Sequence, residues 1–380
     1  MTCQSGRSYT IKAGDTLYII AQNELGDGNR WREIMKSNGT PFTEEEARNS
    51  QPGQEVCIPQ ASPTPPTPPT PGPSDGKLFV GYFQSWSQKW GSEPNQLQLA
   101  NLPSYVNMVI VSFMKPDATY GGNLSLAGTG LDFSADGSVV KGAIALLKQR
   151  NPNTKVLVAV GGATYHNFAG LNAGAIASVV KDFGFDGVDI DYEPFNTAQC
   201  SSVNGKISCT SDAEYRRIVN EIRQALPIPY LVTLAAWSIG AYGEGQWTNS
   251  KPQGALTGLL LNLLQSPDAN KIDQLNVMSY DAGPEYNPQE ALAAYQNYFK
   301  GKIVMGVEVP PEGWGGHVYT IPEVRKLVNA VRERNAAGMM LWSLQKQPNG
   351  TPSDDNPSAQ MIAKEICQQL SLGNCELQLP

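Results

Sequence analysis

Short apolar stretches rich in β-branched residues recur along this chain from residue 78 onward. Stretches of this length without polar interruption are typical of strands that are buried on both faces of a parallel sheet. The eight predicted strands cover residues 78–83, 106–113, 155–161, 185–192, 230–236, 272–280, 303–309 and 338–342.

Segments with helical periodicity lie between these strands. The predicted helices cover residues 143–149, 173–182, 215–226, 288–299 and 322–334. Ser211 and Glu214 have the spacing of a capping box before the third of them. Strands that alternate with helices in this way predict an α/β fold, a (β/α)8 TIM barrel. The alternative is an open doubly wound sheet, which would carry a glycine-rich phosphate loop after its first strand, and Gly81-Tyr-Phe-Gln-Ser is no such loop.

Residues 61–75, ASPTPPTPPTPGPSD, differ in composition from the rest of the chain. They have almost no apolar bulk and few backbone donors, so they cannot form a core. Proline biases their backbone toward the polyproline II helix, and such a segment acts as a semi-rigid spacer. We therefore predict a small domain at 1–60, a linker at 61–76 and the barrel domain at 77–380.

The formal net charge of −7 on 380 residues argues against some classes of partner. Without a basic cluster, neither nucleic acid nor an anionic membrane surface is expected, and the longest apolar runs, such as 256–264, are too short to span a membrane. His166 and His317 form no ligand cluster and no zinc-type spacing occurs. We expect neither a metal nor a cofactor, and a monomer is the default expectation.

The N-terminal sequence MTCQSGRSYT has no apolar signal-peptide region, which fits either a cytosolic protein or the mature form of a secreted one. The cysteines bear on that choice. Their pairs in sequence are Cys3 with Cys57, Cys200 with Cys209, and Cys367 with Cys375. Although six unrelated thiols are the alternative, the even count and local pairing predict three disulfides in an oxidising, extracellular compartment.

Three carboxylates, Asp189, Asp191 and Glu193, are spaced two residues apart in the segment FDGVDIDYE. Alternate residues of a strand point the same way, so all three are expected on one face at the C-terminal end of the fourth strand, where barrels carry their chemistry. Their repulsion favours a proton on at least one of them, as a general acid for glycosidic cleavage requires. Glu193, nearest the mouth, is the expected acid. A calcium loop is the alternative, but it would need glycine and glutamate where Pro194 and Cys200 stand.

These strand-end motifs closely resemble those of glycoside hydrolase family 18, the chitinases. Residues 186–193 match the DGxDxDxE signature of that family, and residues 278–281 match its MxYD motif. Residues 159–162 resemble its SxGG motif, with Ala159 in place of serine. The resemblance runs from residue 77 almost to the end of the chain.

The resemblance implies substrate-assisted, retaining hydrolysis, in which the acetamide oxygen of the substrate attacks the anomeric carbon. Glu193 would be the acid and base, and Asp191 would orient the acetamide N–H. Asp189 would share a proton with Asp191, and Tyr280 would donate to the acetamide oxygen. The implied sugar-binding residues are Tyr82, Phe113, Met278, Asp281 and Trp342. Trp237 is expected to stack a sugar as well, because it lies at the end of the fifth strand.

Some of these assignments have simpler alternatives. Met278 could equally pack in the core. Further aromatic residues either stack sugars or cover loops, and the sequence leaves that choice open for Trp86, Trp90, Tyr242, Trp247 and Trp314. The segment 310–337 is too short for the α+β insertion that deepens the cleft in some members. The resemblance therefore implies an open cleft and cleavage within chains.

The first sixty residues resemble a lysin motif, LysM, through the opening YTIKAGDTLYIIA and the closing PGQEVCIP. The pattern predicts a βααβ unit, with Gly14 permitting a tight turn and Asp15 or Thr16 capping the first helix. A Cys3–Cys57 bridge would support so small a core.

The LysM resemblance implies binding of N-acetylglucosamine polymers in a shallow groove. The implied contact residues are Gly14, Asp15, Thr16, Leu17, Tyr18 and Asn49. The alternative is that Leu17 and Ile20 belong to the core and that Asp15 and Thr16 only cap a helix.

Both resemblances point to chitin and N-acetylglucosamine oligomers as binding partners. We therefore expect a secreted endo-acting chitinase that its LysM module targets to chitin, with an antifungal role. The alternatives are a lectin or inhibitor that has lost hydrolysis, an endo-N-acetylglucosaminidase, and a peptidoglycan hydrolase.

Overall fold

The computed structural model describes residues 3, 6–25, 28–59, 76–314 and 317–380. The chain divides into two compact units, Met1–Thr70 and Pro71–Pro380. The predicted linker, apart from Gly76, lies outside the described residues. Within the described ranges, no helix combines the length and apolar character needed to cross a membrane, and no cluster of His, Cys, Asp and Glu is arranged to hold a metal ion.

The first unit is a small antiparallel sheet with short helices. Its elements are β1 (Arg7–Thr10), α1 (Leu17–Leu25), β2 (Met35–Lys36), α2 (Glu44–Arg48) and β3 (Glu55–Ile58), with a 3-10 helix at Gly28–Glu33. The strands are arranged in the order β1-β3-β2. The short β2 and the 3-10 helix were not predicted, because neither is long enough to leave a periodic pattern.

Local contacts explain how the first helix of this unit begins. Gly14 has a φ of +91°, which a tight turn requires. The Thr16 hydroxyl accepts the N–H of Ile19 at 3.2 Å and caps α1, whereas the Asp15 carboxylate accepts the N–H of Lys12 and the hydroxyl of Tyr9. Thr16 is therefore the cap, and Asp15 stabilises the preceding turn. The Cys3–Cys57 disulfide is present.

The second unit contains the eight predicted strands. Its strands are β4 (Leu78–Gln84), β5 (Met108–Met114), β6 (Lys155–Gly161), β7 (Gly187–Asp191), β8 (Cys200–Val203), β9 (Lys206–Cys209), β10 (Leu231–Ala236), β11 (Gln274–Val277), β12 (Lys302–Glu308) and β13 (Gly338–Trp342). All except β8 and β9 are parallel neighbours in a closed barrel, in which β13 pairs with β4. Nearly every residue of these eight strands is buried, as expected for a barrel covered by helices.

Helices cover the barrel from the outside. They are α3 (Gly137–Arg150), α4 (Ala173–Phe183), α5 (Asp212–Ala225), α6 (Leu261–Leu264), α7 (Pro288–Tyr298), α8 (Ile321–Glu333) and α9 (Ala359–Leu370). Short 3-10 helices stand between β4 and β5 instead of an α-helix. Between β12 and β13 the described residues contain only α8, so the predicted absence of a large insertion holds for them. The architecture is that of a (β/α)8 barrel.

The predicted capping box at Ser211 is wrong. Ser211 has helical backbone angles and its side chain makes no capping hydrogen bond. The Glu214 carboxylate instead accepts the hydroxyl of Tyr192 at 2.6 Å, and the Asp212 carboxylate accepts the N–H of Cys209. The same spacing does form a capping box at Thr320 and Glu323. Tertiary partners therefore decided which box forms.

The predicted disulfides are confirmed, with Cys200–Cys209 and Cys367–Cys375 in the second unit. The first of them closes the hairpin of β8 and β9 on the loop that follows β7. Ile207 of this hairpin packs on the backbone of Gly243 and Gly258, close enough that a Cβ at either glycine would clash with it. The hairpin is thereby held beside the mouth of the barrel.

Candidate active site

Strand β7 carries two of the three predicted carboxylates into the barrel mouth. Asp189 and Asp191 lie on one face of the strand and are 0% and 3% exposed. The strand ends at Asp191, opposite Gly161, so Glu193 lies just beyond it and is partly buried. The predicted strand was longer, but β6, which supplies the pairing, ends at Gly161. The three carboxyl groups nevertheless come together.

Asp189 is held by three donors at the bottom of the site. Its carboxylate accepts the Tyr82 hydroxyl at 2.6 Å, the Asn276 amide at 2.9 Å and the hydroxyl of Thr233. Burial raises the pKa of Asp189, and these three hydrogen bonds oppose the rise. Asp189 thus has three side-chain donors although Ala159 stands where the family motif has serine.

Asp191 and Glu193 form a hydrogen-bonded carboxyl pair. Asp191 Oδ1 is buried and receives no N–H or O–H donor from the described residues. Burial, together with the charges of Glu193 and Asp189, raises the pKa of Asp191 well above its usual range. Burial also raises the pKa of Glu193 to about 7. Two carboxyls in such contact cannot both ionise cheaply, so they share a proton near neutral pH.

Tyr280 and Asp281 lie beyond the end of β11, which stops at Val277. The predicted strand extended to Tyr280, but a tight turn in which Ser279 N–H donates to the Val277 carbonyl ends it earlier. Tyr280 is 8% exposed, and burial raises its pKa well above the usual value, so its hydroxyl keeps its proton. Asp281 adopts a φ of +54° and donates its N–H to Glu312 Oε2 at 2.8 Å.

Aromatic rings form the floor of the cleft. Trp342, the last residue of β13, contacts Tyr82 at 5.6 Å and Phe113 at 5.5 Å between ring centroids. Together with Met278 and the carboxyl groups they line a cavity of about 220 Å³. Met278 is 8% exposed and lines the same cavity, so it packs in the core and also faces the cleft.

The rim of the cleft is a second aromatic group. Trp237 lines the cavity, and the Phe195 ring contacts it at 5.1 Å between centroids. Phe195 also contacts Trp314 at 4.6 Å, and this ring, from the loop after β12, lines the cavity as well. Sequence reasoning left Trp314 undecided and did not consider Phe195, since loop conformation decides where both rings point.

The other undecided aromatic residues fall into two groups. Tyr242 and Trp247 are buried and cover the core. Trp90 is 75% exposed and is not among the residues that line the cleft, and Trp86 stacks on Phe113 with its ring partly exposed. Of these, only Trp86 contacts the cleft floor.

Sequence analysis also missed the cleft residue Glu308, which a known rule could have found, and its partner Lys346. Glu308 is the last residue of β12 and is 2% exposed, and Lys346 donates to its Oε1. A carboxylate at the C-terminal end of a barrel strand is a catalytic signal by the rule that identified Glu193. Lys346 has no such signal, because it lies in the loop after β13.

A larger cavity of about 360 Å³ lies on the other side of Tyr280. Its lining includes Glu312, His317 and Tyr319 but none of the β7 carboxyls. We place the active site in the smaller cavity, since it alone of the two holds the paired carboxyls.

The first unit has a shallow groove of its own. It is lined by residues 15–18 at the start of α1, by residues 31 and 32, and by residues 44, 47, 48 and 50 in and after α2. Leu17 is 2% exposed and belongs to the core, whereas Tyr18 is 51% exposed. Gly14 and Asn49 are not among the lining residues, because Gly14 forms the turn and Asn49 ends α2.

Comparison with known proteins agrees with this site. The sequence pattern described as glycosyl hydrolases family 18 matches residues 78–310. A chitinase of Plasmodium falciparum (isolate 3D7) is 30% identical over 180 residues, which cover 43% of this chain and 43% of that protein. Chitinase B of Serratia marcescens is 29% identical over 164 residues, which cover 37% of this chain and 28% of that protein. The chain thus matches less than half the length of these curated relatives.

The fold comparison includes a solved structure of human YKL-39, described as a pseudo-chitinase with retained chitooligosaccharide binding properties. It matches with a TM-score of 0.52 and 14% sequence identity, over 77% of this chain and 99% of that chain. At this identity the likeness concerns the barrel fold. The match of the family pattern over more than half of the chain, with the carboxyls of β7 inside it, shows that this protein belongs to family 18 of the glycosyl hydrolases.

Proposed function

We propose that the barrel unit hydrolyses β-1,4 bonds between N-acetylglucosamine units of chitin, by a retaining and substrate-assisted reaction. The observation that carries this proposal is the buried Asp191–Glu193 pair, which shares a proton beside an aromatic floor. A carboxyl that keeps its proton near neutral pH is the general acid that glycosidic cleavage needs. The chitinase names of the curated relatives support the choice of substrate.

The proposed reaction uses groups that face one cavity. Glu193 donates its proton to the glycosidic oxygen while the acetamide oxygen of the substrate attacks the anomeric carbon. Asp191 accepts the acetamide N–H, and the Tyr280 hydroxyl donates to the acetamide oxygen as it moves. Glu193 then removes a proton from the water that opens the cyclic intermediate, so the anomeric configuration is retained.

The remaining cleft residues bind the sugar. Trp342 presents an apolar face to the C–H surface of the ring, and Tyr82 and Phe113 hold Trp342 from the side. Because α8 is the only helix described between β12 and β13, we propose cleavage within chains. The three disulfides support a secreted protein. We propose an antifungal role because the chitin of fungal walls is a target for a secreted chitinase.

The test is digestion of a chitin hexamer by the wild type, Glu193→Gln and Glu365→Gln. Glu365 is a buried carboxylate paired with Arg325 on the outer helices, away from the cleft, so it is the control. We expect dimers, trimers and tetramers with β-anomers formed first, and a loss of at least about 100-fold for Glu193→Gln alone. Binding of the hexamer without cleavage by the wild type would make the barrel a lectin and refute hydrolysis.

We further propose that residues 1–60 are a LysM module that binds chitin and is joined to the barrel domain at 77–380 by the linker 61–76. The groove lined by Asp15, Thr16 and Tyr18 supports this, and tethering would raise the concentration of the barrel at the polymer. Tyr18→Ala in the full chain should weaken binding to insoluble chitin and leave hexamer hydrolysis unchanged. Ile19→Ala, which removes an exposed apolar side chain outside the groove, is the control.

A further inference from the structure

Glu308 lies at the cleft, and only one of its two carboxylate oxygens accepts a hydrogen bond from the described residues. Lys346 donates to Glu308 Oε1 and also to the Pro311 carbonyl. Glu308 Oε2 is buried and receives no N–H or O–H donor from the described residues. An unpartnered carboxylate oxygen in such a place is costly, because burial removes the water that would solvate it.

Asp281 and Glu308 line the same cavity, and their carboxyl groups are neighbours that can share a hydrogen bond. A bond between two carboxyl groups requires a proton on one of them. The Asp281 carboxylate also accepts the backbone N–H of Trp314, a contact that favours its charged form. The Lys346 ammonium favours the charged form of Glu308, but burial outweighs it and raises the pKa of Glu308 to about 7, so we assign the proton to Glu308.

We propose that Glu308 is a positioning residue, which donates its proton to Asp281 and thereby keeps Asp281 ionised and fixed beside the Asp191–Glu193 pair. The cleft then contains two carboxyl pairs, one from β7 and one that joins the loop after β11 to the end of β12. Lys346 holds Glu308 in place from the other side. This inference rests on the proposed hydrolysis only for its kinetic readout.

The charges around these pairs determine the direction of the effect. Five titratable groups line the cleft. Asp191 ends β7 and Glu193 follows it, Tyr280 and Asp281 follow β11, and Glu308 ends β12. Glu312 and Lys346 contact this group from neighbouring loops, through Asp281 and Glu308. Burial raises the pKa of Glu308 to about 7, and Lys346 opposes the rise. The charge of Asp281 adds to the effect of burial in raising the pKa of Glu193.

The experiment compares the pH profile of hexamer hydrolysis for Glu308→Gln and Glu308→Leu. The glutamine amide can still donate to Asp281, whereas leucine cannot. Without this donor the pKa of Asp281 rises, so Asp281 loses its negative charge near neutral pH. That charge no longer raises the pKa of Glu193. The alkaline limit of activity therefore moves to lower pH. We expect a shift of about one pH unit for leucine, the effect of one neighbouring charge, and no shift for glutamine or for the control Glu365→Gln.

Any other pattern overturns the proposal, including equal shifts for leucine and glutamine or no shift for either. If Glu308→Leu does not give a native circular dichroism spectrum, Glu308→Ala replaces it, because alanine removes the donor and needs less space. A merely structural role would lower the melting temperature of both variants without separating their pH limits.

A second readout does not require catalysis. Trp237, Trp314 and Trp342 line the cleft, so their fluorescence reports ionisation there. The pH midpoint of that fluorescence should move to lower pH in Glu308→Leu and stay in place in Glu308→Gln. An inactive wild type with this pattern would refute the proposed hydrolysis and retain the positioning role, whereas an unchanged midpoint in Glu308→Leu would refute the positioning role.

Discussion

At the scale of single residues, the number of hydrogen-bond donors determines which buried carboxyl is charged and which is protonated. Asp189 has three donors and Asp191 Oδ1 has none from the described residues. Donors favour a carboxylate and their absence favours a protonated carboxyl. Asp189 is thus suited to hold charge, and the pair of Asp191 and Glu193 is suited to hold a proton.

Tyr82→Phe tests the first of these tasks. It removes a donor from a buried carboxylate and keeps the ring beside Trp342. We expect the free energy of unfolding to fall by about 1.5–3 kcal/mol, as for hydrogen bonds to charged groups. Tyr105→Phe, which loses a bond to a neutral carbonyl, should cost about 1 kcal/mol. Equal costs in urea denaturation would contradict a charged Asp189.

The protonated state of Glu193 predicts the pH dependence of hydrolysis. The acid must carry its proton, so kcat/KM should be lost as the pH rises through the Glu193 pKa of about 7. Initial rates on the hexamer between pH 4 and pH 9 measure this limit, and about tenfold should be lost per pH unit above it. A limit at pH 5 would indicate that burial does not protect the proton.

At the scale of elements, two sites with the same capping pattern behave differently. The Ser211 hydroxyl has no partner among the described residues, and the Glu214 carboxylate accepts from Tyr192 instead. Thr320 and Glu323 form a capping box at the start of α8. Local sequence therefore sets the helix start at Thr320. At Ser211 the start is set by the Cys209–Asp212 contact and by the disulfide that fixes Cys209.

Alanine substitutions separate these two helix starts. Thr320→Ala should lower the free energy of unfolding by about 1 kcal/mol, the usual value of an N-cap. Ser211→Ala should leave it unchanged, because the Ser211 hydroxyl has no partner among the described residues. Chemical denaturation of both variants measures the difference, and a loss at Ser211 as large as that at Thr320 would refute it.

At the scale of the whole molecule, the two units differ in what stabilises them. The barrel unit has a large continuous core, while the core of the first unit consists of few residues, including Ile11, Leu17 and Val56. Small cores are marginal by themselves. The Cys3–Cys57 bridge closes a long loop, and such bridges remove the most entropy from the unfolded chain.

Replacing Cys3 and Cys57 by serine should therefore destabilise the first unit by about 4 kcal/mol. We expect loss of chitin binding with unchanged hydrolysis of the soluble hexamer. Replacing Cys200 and Cys209, which close a short loop, should cost about 2.6 kcal/mol and leave the barrel folded. Because its core is small, the first unit should unfold in a transition of its own below that of the barrel. Calorimetry should show this transition disappear in the first variant only. Its persistence would show that the small core is sufficient.

The sequence by itself determined the eight strands, their arrangement in a closed (β/α)8 barrel and the carboxyl groups in and just after β7. Buried parallel strands need continuous apolar runs, and two-residue spacing fixes which carboxyls share a face, so both features are written in local pattern. The aromatic floor followed from strand ends for the same reason. The three disulfides followed from the even count and local pairing of the cysteines.

The tertiary structure alone decided what surrounds those carboxyls. Thr233, Asn276 and Tyr82 reach Asp189 from three other strands, and only barrel closure brings them together. Glu308 and Lys346 meet because β12 and β13 are neighbours, although 38 residues separate them in sequence. Distances across a barrel depend on register and loop conformation, which no local pattern encodes. The carboxyls of the β7 signature were therefore readable from the sequence, while Glu308 and the contacts that adjust the pKa values were not.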